Sequence, residues 1–112
     1  MEKYLMLTLT NAKPGKEQEF ERWNDEQHIP DLLRLPGVAT ATRYQVLGKP
    51  GPADVPGWDF GLALQIETDS IDETLEAMGK AARTPAMPIS DALDPETTVR
   101  LLLKPVAEVK AD

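Results

Sequence analysis

The order of secondary-structure signals in this 112-residue chain predicts an α+β domain, a four-stranded antiparallel sheet with two helices on one face. Three observations carry the prediction. Period-two alternation of apolar residues recurs in four segments, helical spacing appears in two, and the sequence of elements is strand, helix, strand, strand, helix, strand. This βαββαβ order is the split βαβ arrangement. No linker or repeat divides it, so residues 1–112 are read as one domain, large enough to bury roughly 60–68% of its unfolded surface.

The first strand spans residues 4–11, with Leu5, Leu7 and Leu9 expected toward the helices and Tyr4, Met6 and Thr8 away from them. Lys13-Pro14-Gly15 ends it. A helix follows over residues 17–27, its apolar face formed by Phe20, Trp23 and Gln27. Pro30 cannot donate to the preceding turn, so this helix is expected to end or bend near His28. A second short helix over residues 31–35 starts from Pro30 and closes at Pro36-Gly37. The second strand is residues 38–47 and the third residues 59–67, joined by a glycine- and proline-rich loop over residues 48–57. In the third strand Phe60, Leu62, Leu64 and Ile66 share one face. Ser70-Ile71-Asp72-Glu73 fits a capping box, followed at helical spacing by Ile71, Leu75, Met78 and Ala82. Residues 84–94, with Pro85 and Pro88, are expected to be irregular. The last strand spans residues 97–104, with Val99, Leu101 and Leu103 inward and Arg100 outward, where Arg43, Glu67 and Arg100 are expected in interface ion pairs.

Composition narrows the function. The formal charge of −7 is contained in residues 16–34 and 69–94, the two helical stretches, so the acidic helices belong on the outside. An excess of acid disfavours general affinity for nucleic acid or anionic lipid. The N-terminal apolar run, interrupted by threonines, is too short for a signal peptide or membrane span, which points to a cytoplasmic protein. The absence of cysteine removes disulfides, thiolate metal sites, iron–sulfur clusters and a cysteine nucleophile. One histidine cannot build a zinc site without several carboxylates, and no phosphate-binding glycine motif is present, so no metal and no cofactor are expected. A sheet bare on one side is an incomplete architecture, and a homodimer joined through that face is expected.

His28 is the one side chain that titrates near neutrality without help. It lies one turn after Asn24, so an amide or carboxylate of that helix can orient one ring nitrogen and leave the other for a substrate. The competing reading is a histidine that caps the helix C-terminus. Tyr44 is expected on the helix-facing side of its strand with Thr42 and Val46, while Arg43 and Gln45 face away. A tyrosine in that layer needs a partner for its hydroxyl, which is either a backbone carbonyl or a ligand in a cavity shared with His28.

The segment from Phe20 through Trp23, Asn24, His28-Ile29-Pro30, Pro36-Gly37 and Arg43-Tyr44 resembles the EthD-like branch of the dimeric α/β-barrel superfamily. The likeness is close over residues 20–44 and loose elsewhere. It implies a ferredoxin-like subunit, face-to-face dimerisation of two sheets into an α/β barrel, and a cavity between each sheet and its helices. Members include dehydratases, decarboxylases, isomerases, cyclases and small monooxygenases. His28 matches the histidine at the pocket mouth, and Arg43-Tyr44 match the strand pair. Asn24 stands where an aromatic often follows the tryptophan, and Leu64-Gln65 stand where a Tyr-Glu pair is common, so a His–Glu catalytic pair is not supported.

Together these readings lead to a cofactor-independent acid–base enzyme acting on a small aromatic or polyketide-like carbonyl compound. His28 would move the proton, with Tyr44 and Asn24 stabilising the enolate oxygen. Phe20, Trp23, Arg43, Trp58 and Phe60 would contact the substrate. The alternative is a non-catalytic homodimer that binds a small hydrophobic metabolite or assists a neighbouring enzyme.

Overall fold

The computed structural model of the chain describes residues 1–48 and 57–112; the loop expected over residues 48–57 therefore lies, for residues 49–56, outside the described residues. The elements are β1 (Glu2–Ala12), α1 (Glu17–Trp23), a π-helical turn (Asn24–His28), α2 (Ile29–Leu33), β2 (Val38–Gln45), β3 (Phe60–Thr68), α3 (Ile71–Ala81) and β4 (Leu93–Leu103). The sheet order is β2-β3-β1-β4 with every pair antiparallel, and the helices cover one face. This is the split βαβ architecture that the order of elements predicts.

β3 organises the core. Phe60, Leu62, Leu64 and Ile66 all point at the helices and are buried, as their alternation predicts. Leu62, Leu64 and Ile66 pack with Leu32 of α2 and with Met87, flanked by Ile29, Ile71 and Met78. Phe60 joins a second cluster with Phe20 and Ala92, its ring 4.7 Å from that of Phe20.

The faces of β1 and β4 are the reverse of the expectation. Tyr4, Met6, Thr8 and Thr10 stand opposite Ile66, Leu64, Leu62 and Phe60, and directly opposed residues share a face. They therefore look toward the helices, and Leu5, Leu7 and Leu9 look away. On β4, Arg100 opposes Thr8 and Leu102 opposes Met6, so Arg100 lies on the helix side while Val99, Leu101 and Leu103 lie outside. The expected outward ion pairs of Arg43 and Arg100 are corrected in the same way; Glu67 does face out, paired with Lys3. Alternation separates two sets of side chains but does not say which set meets the helices. Here the more aliphatic set is turned to the bare face.

β2 shows a different cause. Its register against β3 shifts between Val38 and Thr40, a β-bulge. Val38 still packs on the core, but the extra residue moves Ala41, Arg43 and Gln45 to the helix side and puts Thr42 and Tyr44 on the outer face. Tyr44 is 53% exposed there. The expected orientation of Arg43 and Tyr44 is thus inverted by one inserted residue.

The helical boundaries also differ. Of the expected end or bend near His28, the helix does not end there: regular α-helix gives way to a π turn over Asn24–His28 and resumes as α2. Proline removes one intrahelical donor and crowds the carbonyl four residues back. Ile29 N–H reaches Asn24 O, five residues back, which widens the turn just ahead of the proline ring. At α3, Ser70 accepts from the Glu73 N–H at 3.2 Å, giving one half of the capping box. The Ser70 N–H donates to Thr68 Oγ1 and not to the Glu73 side chain. β4 begins at Leu93, earlier than expected, because Asn11 and Ala12 pair with Asp94 and Leu93 before a register irregularity.

Gly37, at the turn into β2, has φ +91°, and a Cβ there would lie 3.2 Å from Thr74 Oγ1. Its carbonyl accepts from Glu67 N–H at 2.8 Å, so the turn cannot swing away without losing a ladder bond. Gly37→Ala is expected to destabilise the fold by about 1–2 kcal/mol from the left-handed conformation alone, measured as a lowered urea midpoint.

Candidate functional site

The site is built on the wide turn. At 3.6 residues per turn, positions five apart in an α-helix lie about 140° away from each other around the axis. In the π turn, Trp23 and His28 instead lie face to face, with ring centroids 4.5 Å apart and planes inclined by 20°. Trp23 Nε1 donates to the Pro88 carbonyl at 3.2 Å, which fastens the indole to the segment after α3. Just beyond, Asp31 is buried and accepts from Gln27 Nε2 at 2.7 Å and from Arg34, so its carboxylate is occupied within its own helix.

Between this turn, α3 and the sheet lies a cavity of about 290 Å³. Its floor is Met6, Leu62 and Leu64, and its walls are Leu32, Leu75, Met78, Met87 and Ile89. That volume is at the small end of ligand pockets. Polar groups enter it from the turn, as Asn24 and His28, and from the sheet, as Thr8, Thr10 and Arg100. Thr10 and Thr98 satisfy one another through their hydroxyls at 2.7 Å. Asn24, only 4% exposed, and His28 are different: Asn24 Oδ1 and His28 Nδ1 are buried with no hydrogen-bond partner among the described residues. A second depression of about 520 Å³ runs over Tyr4, Leu5, Thr40, Gln65 and Leu103, but the charged groups beside it, Lys3 with Glu67 and Lys104 with Glu2, are already paired. The smaller cavity is therefore the candidate, because buried polar atoms without partners are rare and costly.

The imidazole is held neutral. Burial, the largest cause, and the Arg100 guanidinium together lower the His28 pKa from the ordinary 6.5 to about 4, against the opposing Asp31 carboxylate. A neutral ring with an unengaged nitrogen can accept a proton at any pH above that value. His28 Nδ1 caps no helix carbonyl, so the expected capping role is not the one this nitrogen plays.

Of the residues singled out in the sequence, His28, Asn24, Trp23 and Phe20 line the cavity. Tyr44 does not, being on the opposite side of the sheet. Arg43 is on the helix side but is engaged by Asp25, at 2.7 Å, and by Glu21 at 3.5 Å. Phe60 packs behind Phe20. Trp58 Nε1 donates to the Thr97 carbonyl at 2.7 Å and contributes no lining. The residue missed is Arg100. Lying between Val99 and Leu101, it carries no signal of its own until the register of β4 is known.

The pH dependence of stability follows from the sign of the His28 shift. The unfolded chain takes up this proton near pH 6.5, whereas the folded chain resists it until about pH 4. The associated stability is complete above pH 6.5 and is lost as pH falls toward 4, on the order of 3 kcal/mol in all. The urea midpoint of the native chain should fall more steeply over that interval than that of His28→Gln; parallel curves would contradict the assignment.

No protein-family model matches the chain, and no curated protein matches it in sequence. Its structure is similar to the crystal structure of an ethyl tert-butyl ether D (EthD) family protein from Bacillus halodurans C-125. The TM-score is 0.57 and the identity 16%, over 95% of this chain and 100% of that one. At that identity the likeness is one of fold: the chain has the EthD-like, ferredoxin-like fold, a four-stranded antiparallel sheet with its helices on one face.

Proposed function

We propose that the chain is a cofactor-independent acid–base enzyme acting on a small, largely apolar carbonyl compound of aromatic or polyketide-like type. The observation that carries this reading is that two residues lining an apolar cavity, Asn24 and His28, each keep a buried, unpartnered atom, Oδ1 and Nδ1. The neutral imidazole takes a proton from the carbon next to the carbonyl and can return it elsewhere on the same skeleton. The Asn24 amide N–H donates to the oxygen on which charge develops, and its Oδ1 is left to accept from a substrate hydroxyl. The Trp23 ring keeps the imidazole in plane. Isomerisation, dehydration and aldol cyclisation all begin with this proton abstraction, whereas decarboxylation reaches the same enolate by loss of CO2 and then takes a proton. Tyr44 takes no part in it within one subunit. The second reading, a non-catalytic binder of a small hydrophobic metabolite, is favoured by the same apolar lining and differs only in turnover.

The two readings separate on hydrogen–deuterium exchange next to the carbonyl of small aryl ketones, followed by NMR in D2O. Catalysed exchange is expected to fall about 10²–10⁴-fold in His28→Ala and 10²–10³-fold in Asn24→Ala, and to be unchanged in Tyr44→Phe. Exchange by the native protein no faster than buffer, with the ketone nevertheless bound, would favour the binder.

We further propose that the outer sheet face is the contact of a homodimer. Val99, Leu101 and Leu103 are each at least a third exposed there, beside the half-buried Leu5, Leu7 and Leu9. Contiguous apolar surface of this kind marks an interaction site. Sedimentation equilibrium should give two chains for the native protein and one for Leu101→Glu; a native mass of one chain at micromolar concentration would remove the proposal.

A further inference from the structure

Arg100 is out of keeping with the rest of the cavity. Among the described residues it is the one formally charged side chain lining a largely apolar chamber, whose other polar groups are Thr8, Thr10, Asn24 and His28. Two other arginines near the site are neutralised, Arg34 by Asp31 and Arg43 by Asp25 and Glu21. Arg100 meets no carboxylate among the described residues, although the chain carries 19 acidic side chains against 12 basic ones. Its charge nevertheless reaches the site, because it acts on the His28 imidazole. Across β1 from it, Thr8 adds a hydroxyl. The cavity is thus lined by an arginine from the sheet with no carboxylate partner among the described residues and, from the helical turn, by Asn24 and His28, each with a buried unpartnered atom.

We infer that the ligand of this cavity is a carboxylic acid with an apolar body and a carbonyl or hydroxyl oxygen. Its carboxylate pairs with Arg100, while the second oxygen accepts from the Asn24 amide N–H or, as a hydroxyl, donates to Asn24 Oδ1 or His28 Nδ1. The inference rests on the reading of this cavity as the ligand site and narrows its substrates from carbonyl compounds at large to keto or hydroxy acids. A guanidinium binds carboxylate through two parallel N–H groups, which an ammonium cannot reproduce. It also gives an acidic protein, whose net charge repels anions, a local point of attraction for one.

The test uses a stable keto acid, 4-oxo-4-phenylbutanoate, and its neutral amide, 4-oxo-4-phenylbutanamide, titrated calorimetrically into the full-length protein at neutral pH. The native protein is expected to bind the acid at least tenfold more tightly than the amide, with the difference shrinking as salt is raised. Arg100→Gln should reduce the ratio to within about twofold while leaving amide binding intact, and Arg100→Lys should retain part of it. Because Arg100 is exposed, these variants are expected to fold. Equal binding of acid and amide by the native protein, or a preference that survives Arg100→Gln, would overturn the inference and leave the cavity as a neutral-ligand site. If neither probe binds at millimolar concentration, the inference falls together with the reading on which it rests. In His28→Ala the acid preference should persist, which separates charge recognition from proton transfer.

Discussion

The apolar face of β3 has to be covered, and most of the fold follows from how that is done. Phe60, Leu62, Leu64 and Ile66 are each worth about 1.5–3 kcal/mol when withdrawn from water. No single short helix can cover four successive inward residues of a strand. Phe20 of α1 and Ala92 take the Phe60 end, while Leu32, Met87 and residues of α3 take the Ile66 end. Between the two clusters the covering elements diverge, and the cavity is the space left over Leu62 and Leu64. Cavity and core are therefore two consequences of the same packing.

The helical turn at Asn24–His28 converts that space into a site with chemistry. A regular α-helix would direct Trp23 and His28 to different sides of its axis. Widened ahead of Pro30, the turn stacks them and leaves the buried Asn24 and His28 without partners of their own. Such turns are less favourable than regular helix and recur where a side chain must be aimed. Asp31, fixed by Gln27 and Arg34, anchors the helix just after the turn.

Much of the fold was legible in the sequence. Each element appears near its expected place because alternation and helical spacing are local signals, and β3 is oriented as expected because only one of its faces is strongly apolar. The candidate histidine and Asn24 were legible for a similar reason, as a lone titratable group one turn from an amide. The orientations of β1, β2 and β4 were not. β1 and β4 carry apolar residues on both faces, so alternation does not rank them. In β2 a single bulged residue reverses every side chain after it. Tyr44 left the site and Arg100 entered it through these reversals.

The residues by themselves determined the element order, the acidic helical stretches and the presence of one histidine, since each depends on composition or on neighbours a few positions away. Tertiary structure alone decided which face of each strand meets the helices, that the helix passes through Pro30 by widening, and that Arg100 shares a chamber with His28. These are matters of register and of competition between distant surfaces. A shift of one residue in pairing exchanges the two faces, and only the assembled sheet sets that shift.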